Sequence, residues 1–391
     1  MKIFAKSQKI SIIIFFIGIF FFFSCSDDNT ISPNTEKVLI SENFLTKYSA
    51  DLLKALGEMM GVNITPEYPV TMYRITYKSG FRNKTCSGYI CLPDTNIHCK
   101  GIVLIQHPTS FNDNEVQGNY ALLACATASL GYVTITNDYI GFGESIDEVQ
   151  TYHIAEYSSL DAISALQATN EFIEINKLNT SSELRLVGYS QGGYNVVAIQ
   201  KELEKKNEFN LKEVYSGAAP LVLTSLMRQI LTQDDYESTY YLPQFIISYN
   251  NYYSLNLDYN KVYQSSFITI IDDYYNVKNT DEKWRNLPKK ASELLTETFI
   301  NEILKENNPF YQKLRENNLN NFSPKNKLYL YGSENDDAVF HNILVESYEY
   351  YNSQGGNVEL VKSKQSENHK NTHTEFFEFV LKRLQVENTL L

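Results

Sequence analysis

The apolar positions of this chain change their period along its length, and the changes mark out its elements. Residues 71–77 and 85–92 read as two strands, separated by the turn-rich segment Lys78-Ser79-Gly80-Phe81-Arg82-Asn83-Lys84. Residues 101–106 are a short apolar run running into a loop, as expected of a buried central strand. A helix is predicted over 120–129 and a strand over 132–136. Residues 158–175 then carry Leu160, Ile163, Leu166 and Phe172 at helical spacing. A strand at 184–187, a helix at 194–205 and a strand at 214–219 follow. Such alternation predicts an α/β fold, a mostly parallel central sheet with helices on both faces. From about Thr224 to Asn321 it stops, and helices are predicted only at 291–305 and 309–317. It resumes with a strand at 327–331, a helix at 342–351, a strand at 358–362 and a helix at 373–384. Thr372-His373-Thr374-Glu375 reads as a capping box for that last helix. Because the sheet resumes, 224–321 is expected to be a helical cap inserted into a core of 41–223 and 322–391.

The N-terminus has a different pattern. Lys2, Lys6 and Lys9 precede an apolar run over 12–23, which is the length of a signal-peptide core and short for a bilayer span. Phe22-Phe23-Ser24-Cys25 resembles a bacterial lipobox, with Phe22 in place of the usual leucine. Residues 1–24 are therefore expected to be a removed leader, Cys25 a lipidated residue and 25–40 a flexible tether. An ordinary signal peptide or a short anchor is the alternative. Ser26-Asp27-Asp28-Asn29 resembles the acidic export tags that follow the lipidated cysteine of Bacteroidetes lipoproteins. The expected location is the bacterial envelope, with membrane contact through the lipid anchor alone.

Composition narrows the function classes. The 391 residues are 43% hydrophobic and 20% charged, which fits neither a disordered chain nor a multi-span membrane protein. A net charge of −12 repels phosphate backbones and argues against a nucleic-acid partner. Without the leader's three lysines the charge becomes −15. The four cysteines beyond Cys25 (Cys86, Cys91, Cys99 and Cys125) allow three pairings. Cys86 and Cys91 share one predicted strand at a spacing too long for a bond to each other. No CxxC pair or His/Cys cluster points to a metal. There are 29 tyrosines, ten of them between Tyr236 and Tyr275, within the insertion. They either line a substrate pocket over the site or pack the cap's own core.

The sharpest chemical signal is Gly188-Tyr189-Ser190-Gln191-Gly192-Gly193. A serine becomes a useful nucleophile only when it is exposed, oriented and paired with a base. A tight turn between the strand at 184–187 and the helix at 194–205 supplies the orientation. Glycines two residues either side, Gly188 and Gly192, let that turn close. Chain order supplies the partners, each expected in a loop after a strand: an acid at Asp336 or Asp337, then a base at His369 or His373.

Four stretches together resemble the α/β-hydrolase superfamily, in its esterase and secretory-lipase-like branch, from about Tyr68 to the C-terminus. Gln106-His107-Pro108-Thr109 resembles the QHGT loop at the oxyanion hole. Asp138-Tyr139-Ile140-Gly141-Phe142-Gly143-Glu144-Ser145 resembles DYxGxGxS. The third is the nucleophile elbow at Gly188–Gly193, and Asp336-Asp337-Ala338-Val339 resembles the DxxV acid turn. The resemblance implies ester hydrolysis through an acyl-serine intermediate, without cofactor or metal. It implies Ser190 as nucleophile, Asp336 as the acid that fits DxxV, and His369 as base by its spacing from the last helix. The backbone N–H of Gln191 and one from the 106–109 loop would bind the oxyanion. Pro108 replaces the family's glycine and has no N–H, so Thr109 is the expected donor. Asp138 is expected to anchor its glycine turn, His107 to shape the oxyanion loop, and His153 and His341 to be satisfied structural residues. A serine peptidase on the same fold and an inactive surface-binding lipoprotein are the alternatives. Substrate and oligomeric state stay open.

Overall fold

The computed structural model describes residues 37–386, apart from 60, 61, 63, 95–97, 114, 115, 270, 272–282 and 366. The leader, Cys25 and most of the expected tether lie outside the described residues. The first strand, β1 (Leu39–Tyr48), starts within the last two residues assigned to the tether. It and the helix α1 (Ala50–Met59) have no counterpart in the expected elements. β1 is an edge strand with most side chains at least partly exposed, so no apolar alternation announces it.

The remaining strands are β2 (Val70–Lys78), β3 (Thr85–Pro93), β4 (Ile102–Gln106), β5 (Val133–Asn137), β6 (Glu183–Tyr189), β7 (Asn210–Gly217), β8 (Lys327–Gly332) and β9 (Val358–Lys362). They form one sheet in the order β1-β2-β3-β5-β4-β6-β7-β8-β9. β1, β2, β3 and β5 pair antiparallel in succession, and every pair from β5 to β9 is parallel. The helices that cross between the parallel strands from β4 to β7 are α2 (Ala121–Ala128), α3 (Ala155–Ile175) and α4 (Gln191–Lys206). β4 and β5 are buried along their whole length, as strands covered on both faces must be.

Two apolar clusters fill the two sides of the sheet. Val103 and Ile105 of β4 join one, with α1, α2 and the last helix; Ile102 and Leu104 join the other, with α3 and α4. Strand alternation thus divides one short apolar run between two cores.

The insertion between β7 and β8 holds α5 (Leu223–Thr232), α6 (Tyr241–Tyr253), α7 (Tyr259–Val262), α8 (Ala291–Leu294), α9 (Glu297–Leu304) and α10 (Pro309–Glu316). The single helix expected over 291–305 is two helices. Leu295 is extended, and Thr296 accepts a hydrogen bond from Phe299 N–H at 3.2 Å, so a side-chain cap restarts the helix. Among the described residues, Tyr236, Tyr249, Tyr252 and Tyr263 of the insertion are buried in the cluster that also holds α3 and α4. After β8 come α11 (His341–Ser353) and, following β9, α12 (His369–Val386).

The last helix begins at His369, not at 373. Asn368 is its cap, accepting from Asn371 N–H at 3.0 Å, while Thr372 lies one turn inside and donates its hydroxyl to Glu367 O. The expected capping box is not formed. Asn followed by two polar residues competes for the same role and wins a full turn earlier.

Candidate active site

β6 ends at Tyr189 and α4 starts at Gln191, leaving Ser190 as a one-residue corner between them. Its φ of 54° and ψ of −116° lie outside the regions an L-residue favours, a conformation costing about 1–3 kcal/mol. The corner is held by Ser190 N–H donating to Gly217 O at 2.7 Å and by Tyr194 N–H donating to Ser190 O at 3.0 Å. The flanking glycines are required by contact. A Cβ on Gly188 would strike the carbonyl of Gly192, and one on Gly192 would strike the carbonyl of Gln106. The second contact seats the elbow directly against the loop that follows β4.

His369 Nε2 lies 3.0 Å from Ser190 Oγ, and its Nδ1 lies 2.8 Å from Oδ2 and 3.0 Å from Oδ1 of Asp336. An ionised carboxylate only accepts, so Nδ1 carries the proton and Nε2 is left to accept from the serine hydroxyl. The Asp336 side chain is 2% exposed and that of His369 12%. Asp336 Oδ1 also accepts N–H bonds from Ala338 at 3.0 Å and Val339 at 2.7 Å. The DxxV spacing has this physical content: the turn folds two amides back onto the carboxylate.

The neighbouring candidates do other things. Asp337, exposed as a loop residue, accepts the backbone N–H of His369 at 3.0 Å, and so ties the acid turn to the start of α12. His373 sits one turn along α12, edge-on to the Tyr189 ring at 5.1 Å. Burial and the nearby His369 lower its pKa to about 4, and its Nε2 has no hydrogen-bond partner among the described residues.

The backbone N–H groups of Gln191 and Thr109 have no hydrogen-bond partner among the described residues. Pro108 contributes its carbonyl, which lies 2.7 Å from His107 Nδ1. His107 is fully buried, stacks on Tyr139 at 3.7 Å, and is held below its usual pKa by burial. It shapes the loop, as expected. Asp138 also keeps its expected role: it accepts from Arg74 and from Ser87 Oγ at 2.6 Å, while Ser87 Oγ accepts from Glu144 N–H at 3.0 Å. His153 and His341 depart from expectation, since each leaves a buried Nδ1 with no hydrogen-bond partner.

Several residues were not legible as site residues. Tyr189 donates its hydroxyl to His369 O at 2.6 Å, linking the residue before the nucleophile to the residue bearing the imidazole. Gln106 Nε2 donates to Asn137 Oδ1 at 2.5 Å, and Asn137 Nδ2 donates to Asp161 Oδ2 at 2.7 Å. Burial raises the Asp161 pKa. This chain fixes the end of β4 beneath the 106–109 loop, and a lone Asp on the buried face of α3 is the one sequence signal that could have pointed to it. Phe111, Tyr240, Tyr241 and Trp284 form an aromatic group beside the loop, with Phe111 and Trp284 4.4 Å apart. Tyr152 OH lies 3.1 Å from Thr109 Oγ1.

Comparison with known proteins places this arrangement. No curated protein matches the sequence. Among solved structures, a protein of Legionella pneumophila is 23% identical with a TM-score of 0.81, over 89% of this chain and 97% of that one. The rice cell wall degrading esterase LipA from Xanthomonas oryzae is 23% identical with a TM-score of 0.74, over 91% and 98%. The closed state of Candida antarctica lipase A is 13% identical with a TM-score of 0.61, over 85% and 77%. At such identities these likenesses concern the fold, which is that of the α/β-hydrolases. The family model for secretory lipases matches residues 105–378, a stretch that runs from the end of β4 into α12 and takes in the elbow, the acid turn and His369. The chain therefore belongs to the secretory lipase family and is an esterase- or lipase-like hydrolase.

Proposed function

We propose that the protein hydrolyses carboxylic esters through an acyl-serine intermediate on Ser190. The observation that carries this reading is the continuous hydrogen-bonded chain from Ser190 Oγ through the His369 ring to Asp336. Ser190 Oγ attacks the ester carbonyl carbon while His369 Nε2 takes its proton. Asp336 holds the tautomer and stabilises the imidazolium. Negative charge on the carbonyl oxygen is met by the backbone N–H groups of Gln191 and Thr109. The imidazolium then protonates the departing alkoxide. Water, deprotonated by the same nitrogen, attacks the acyl-enzyme and restores the serine. The aromatic group around Phe111 and Trp284 offers an apolar wall for the acyl or alcohol part of the ester.

Chromogenic acyl esters of increasing chain length, assayed alongside Ser190→Ala, test this. We expect turnover to fall by roughly 10⁴-fold or more in the variant, with a serine-directed phosphonate labelling only the unaltered chain. Absence of both turnover and labelling would replace this reading with a binding role, and amide cleavage as fast as ester cleavage would replace it with a peptidase.

We further propose that the chain is exported and held to the envelope by lipid on Cys25. Metabolic incorporation of a labelled fatty acid, lost in Cys25→Ala, is the expected result, and unlabelled parent chain would overturn it.

A further inference from the structure

Cys91 on β3 and Cys125 on α2 are 34 residues apart in sequence, yet their sulfurs lie 3.3 Å apart. Both side chains are fully buried in the apolar cluster beneath α2. Among the described residues, the hydrogen-bond-range contacts of the two sulfurs are with each other, a thioether and a backbone carbonyl. Met72 Sδ is 3.8 Å from Cys125, and the carbonyl of Ala121 is 3.9 Å from Cys91. Reactive cysteines sit in electropositive, partly exposed pockets, and this pair sits in neither.

The fold also discards the competing pairings. Cys86 is five residues from Cys91 on the same strand, so alternation turns it to the opposite face, where it joins the other cluster. Cys99 belongs to that other cluster too, beside the bridge to Thr180. Among the described residues no second pair of cysteine sulfurs is in contact.

We propose that Cys91 and Cys125 are joined by a disulfide when the chain folds in an oxidising compartment, stapling α2 to the sheet. Closing from 3.3 Å to the roughly 2.05 Å of a disulfide is within the reach of small side-chain rotations. The oxidant is a disulfide-bearing exchange partner, a protein or small molecule. The thiolate of one cysteine attacks that disulfide, forming a mixed disulfide and releasing one thiol. The second cysteine, losing its proton, then attacks the mixed bond and releases the other thiol. Two protein thiols are thereby oxidised by two electrons and the partner's disulfide is reduced to two thiols. Because both sulfurs are buried in the folded state, the exchange takes place before α2 docks. The turn ahead of α2 bears Tyr120, whose ring stacks on His107 at 5.3 Å, so the staple holds the element that backs the oxyanion loop.

The test uses the exported chain, unfolded in excess maleimide, then reduced and alkylated with an isotopically distinct maleimide. Peptide mapping is expected to find Cys86 and Cys99 carrying the first label and Cys91 and Cys125 the second, with a linked peptide before reduction. A melting temperature lowered by about 5 °C on adding reductant, and insensitive to reductant in the Cys91→Ala, Cys125→Ala double variant, is the matching result. First label on all four cysteines, or a linked peptide containing Cys86 or Cys99, overturns the proposal. The mapping uses the unaltered chain and so does not depend on the variant folding.

Discussion

The catalytic end of the sheet and the insertion between β7 and β8 both have to fix irregular backbone, and they lean on different side chains to do it. At the sheet end short acceptors capture nearby N–H groups. Asp336 holds Ala338 and Val339, Asp337 holds His369, and Asn368 holds Asn371. In the insertion, phenol hydroxyls reach out and donate to distant carbonyls. Tyr236 bonds Ala338 O and Tyr249 bonds His153 O, both at 2.9 Å, and Tyr252 bonds Val149 O. Each tyrosine buries a ring in the shared core and still satisfies a carbonyl that loop geometry would leave orphaned. Neither expected role, pocket lining or a private cap core, describes Tyr249 and Tyr252, which fasten the insertion to the loop before α3. The difference is one of emphasis: short acceptors hold the acid turn and the start of α12, whereas the insertion is docked largely by long phenol side chains.

The sharpest way to break this contrast is at the two adjacent carboxylates. Asp336→Asn should lower kcat for ester hydrolysis by roughly 10³–10⁴-fold, because the imidazole loses its tautomer control. Asp337→Asn keeps an acceptor for His369 N–H and should stay within about tenfold of the parent. Equal losses measured in steady-state kinetics would mean that the two residues act as one unit.

A smaller effect concerns acid. His153 is fully buried against Phe245, with ring centroids 5.0 Å apart, and burial holds its pKa at about 3. The unfolded chain protonates it near 6.5, so below that pH the unfolded state binds the extra proton. Stability from neutral His153 is complete above about 6.5 and drains away as pH falls toward 3, by roughly 2–3 kcal/mol at pH 4.5. Urea unfolding at pH 7 and 4.5 should show a shallower loss in His153→Asn, a residue that tolerates the φ of 51° found there. An unchanged difference between the two pH values would remove His153 from the account.

Smallest is the removal of one hydroxyl from each region. Tyr249→Phe should cost about 1 kcal/mol of stability, read by urea unfolding, with kcat unchanged. Tyr189→Phe frees the carbonyl of His369 and should lower kcat several-fold with KM little changed. If the two variants exchange these signatures, the contrast between the regions is wrong.

How much was readable follows the same division. The elbow was legible because a glycine–x–serine–x–glycine turn between a strand and a helix is a local demand, and the acid turn because its amides fold back within three residues. Helix α12 was misjudged by a turn, since Asn368 and Thr372 both offer a capping oxygen and nothing local ranks them. β1 and α1 were missed because an edge strand with mixed exposure has no clean period.

By itself, then, the amino-acid order determined the parallel core, the place of the insertion and the serine at its corner, all consequences of periodicity and short-range backbone geometry. Chain order alone left Asp337 beside Asp336 and His373 beside His369, with only the family resemblance favouring Asp336 and His369, and it left open which sulfurs meet. Those choices belong to the tertiary structure, because each depends on where three strands far apart in sequence bring their ends together. A hydrogen bond is made or lost over less than an ångström, a distance that no residue spacing along the chain encodes.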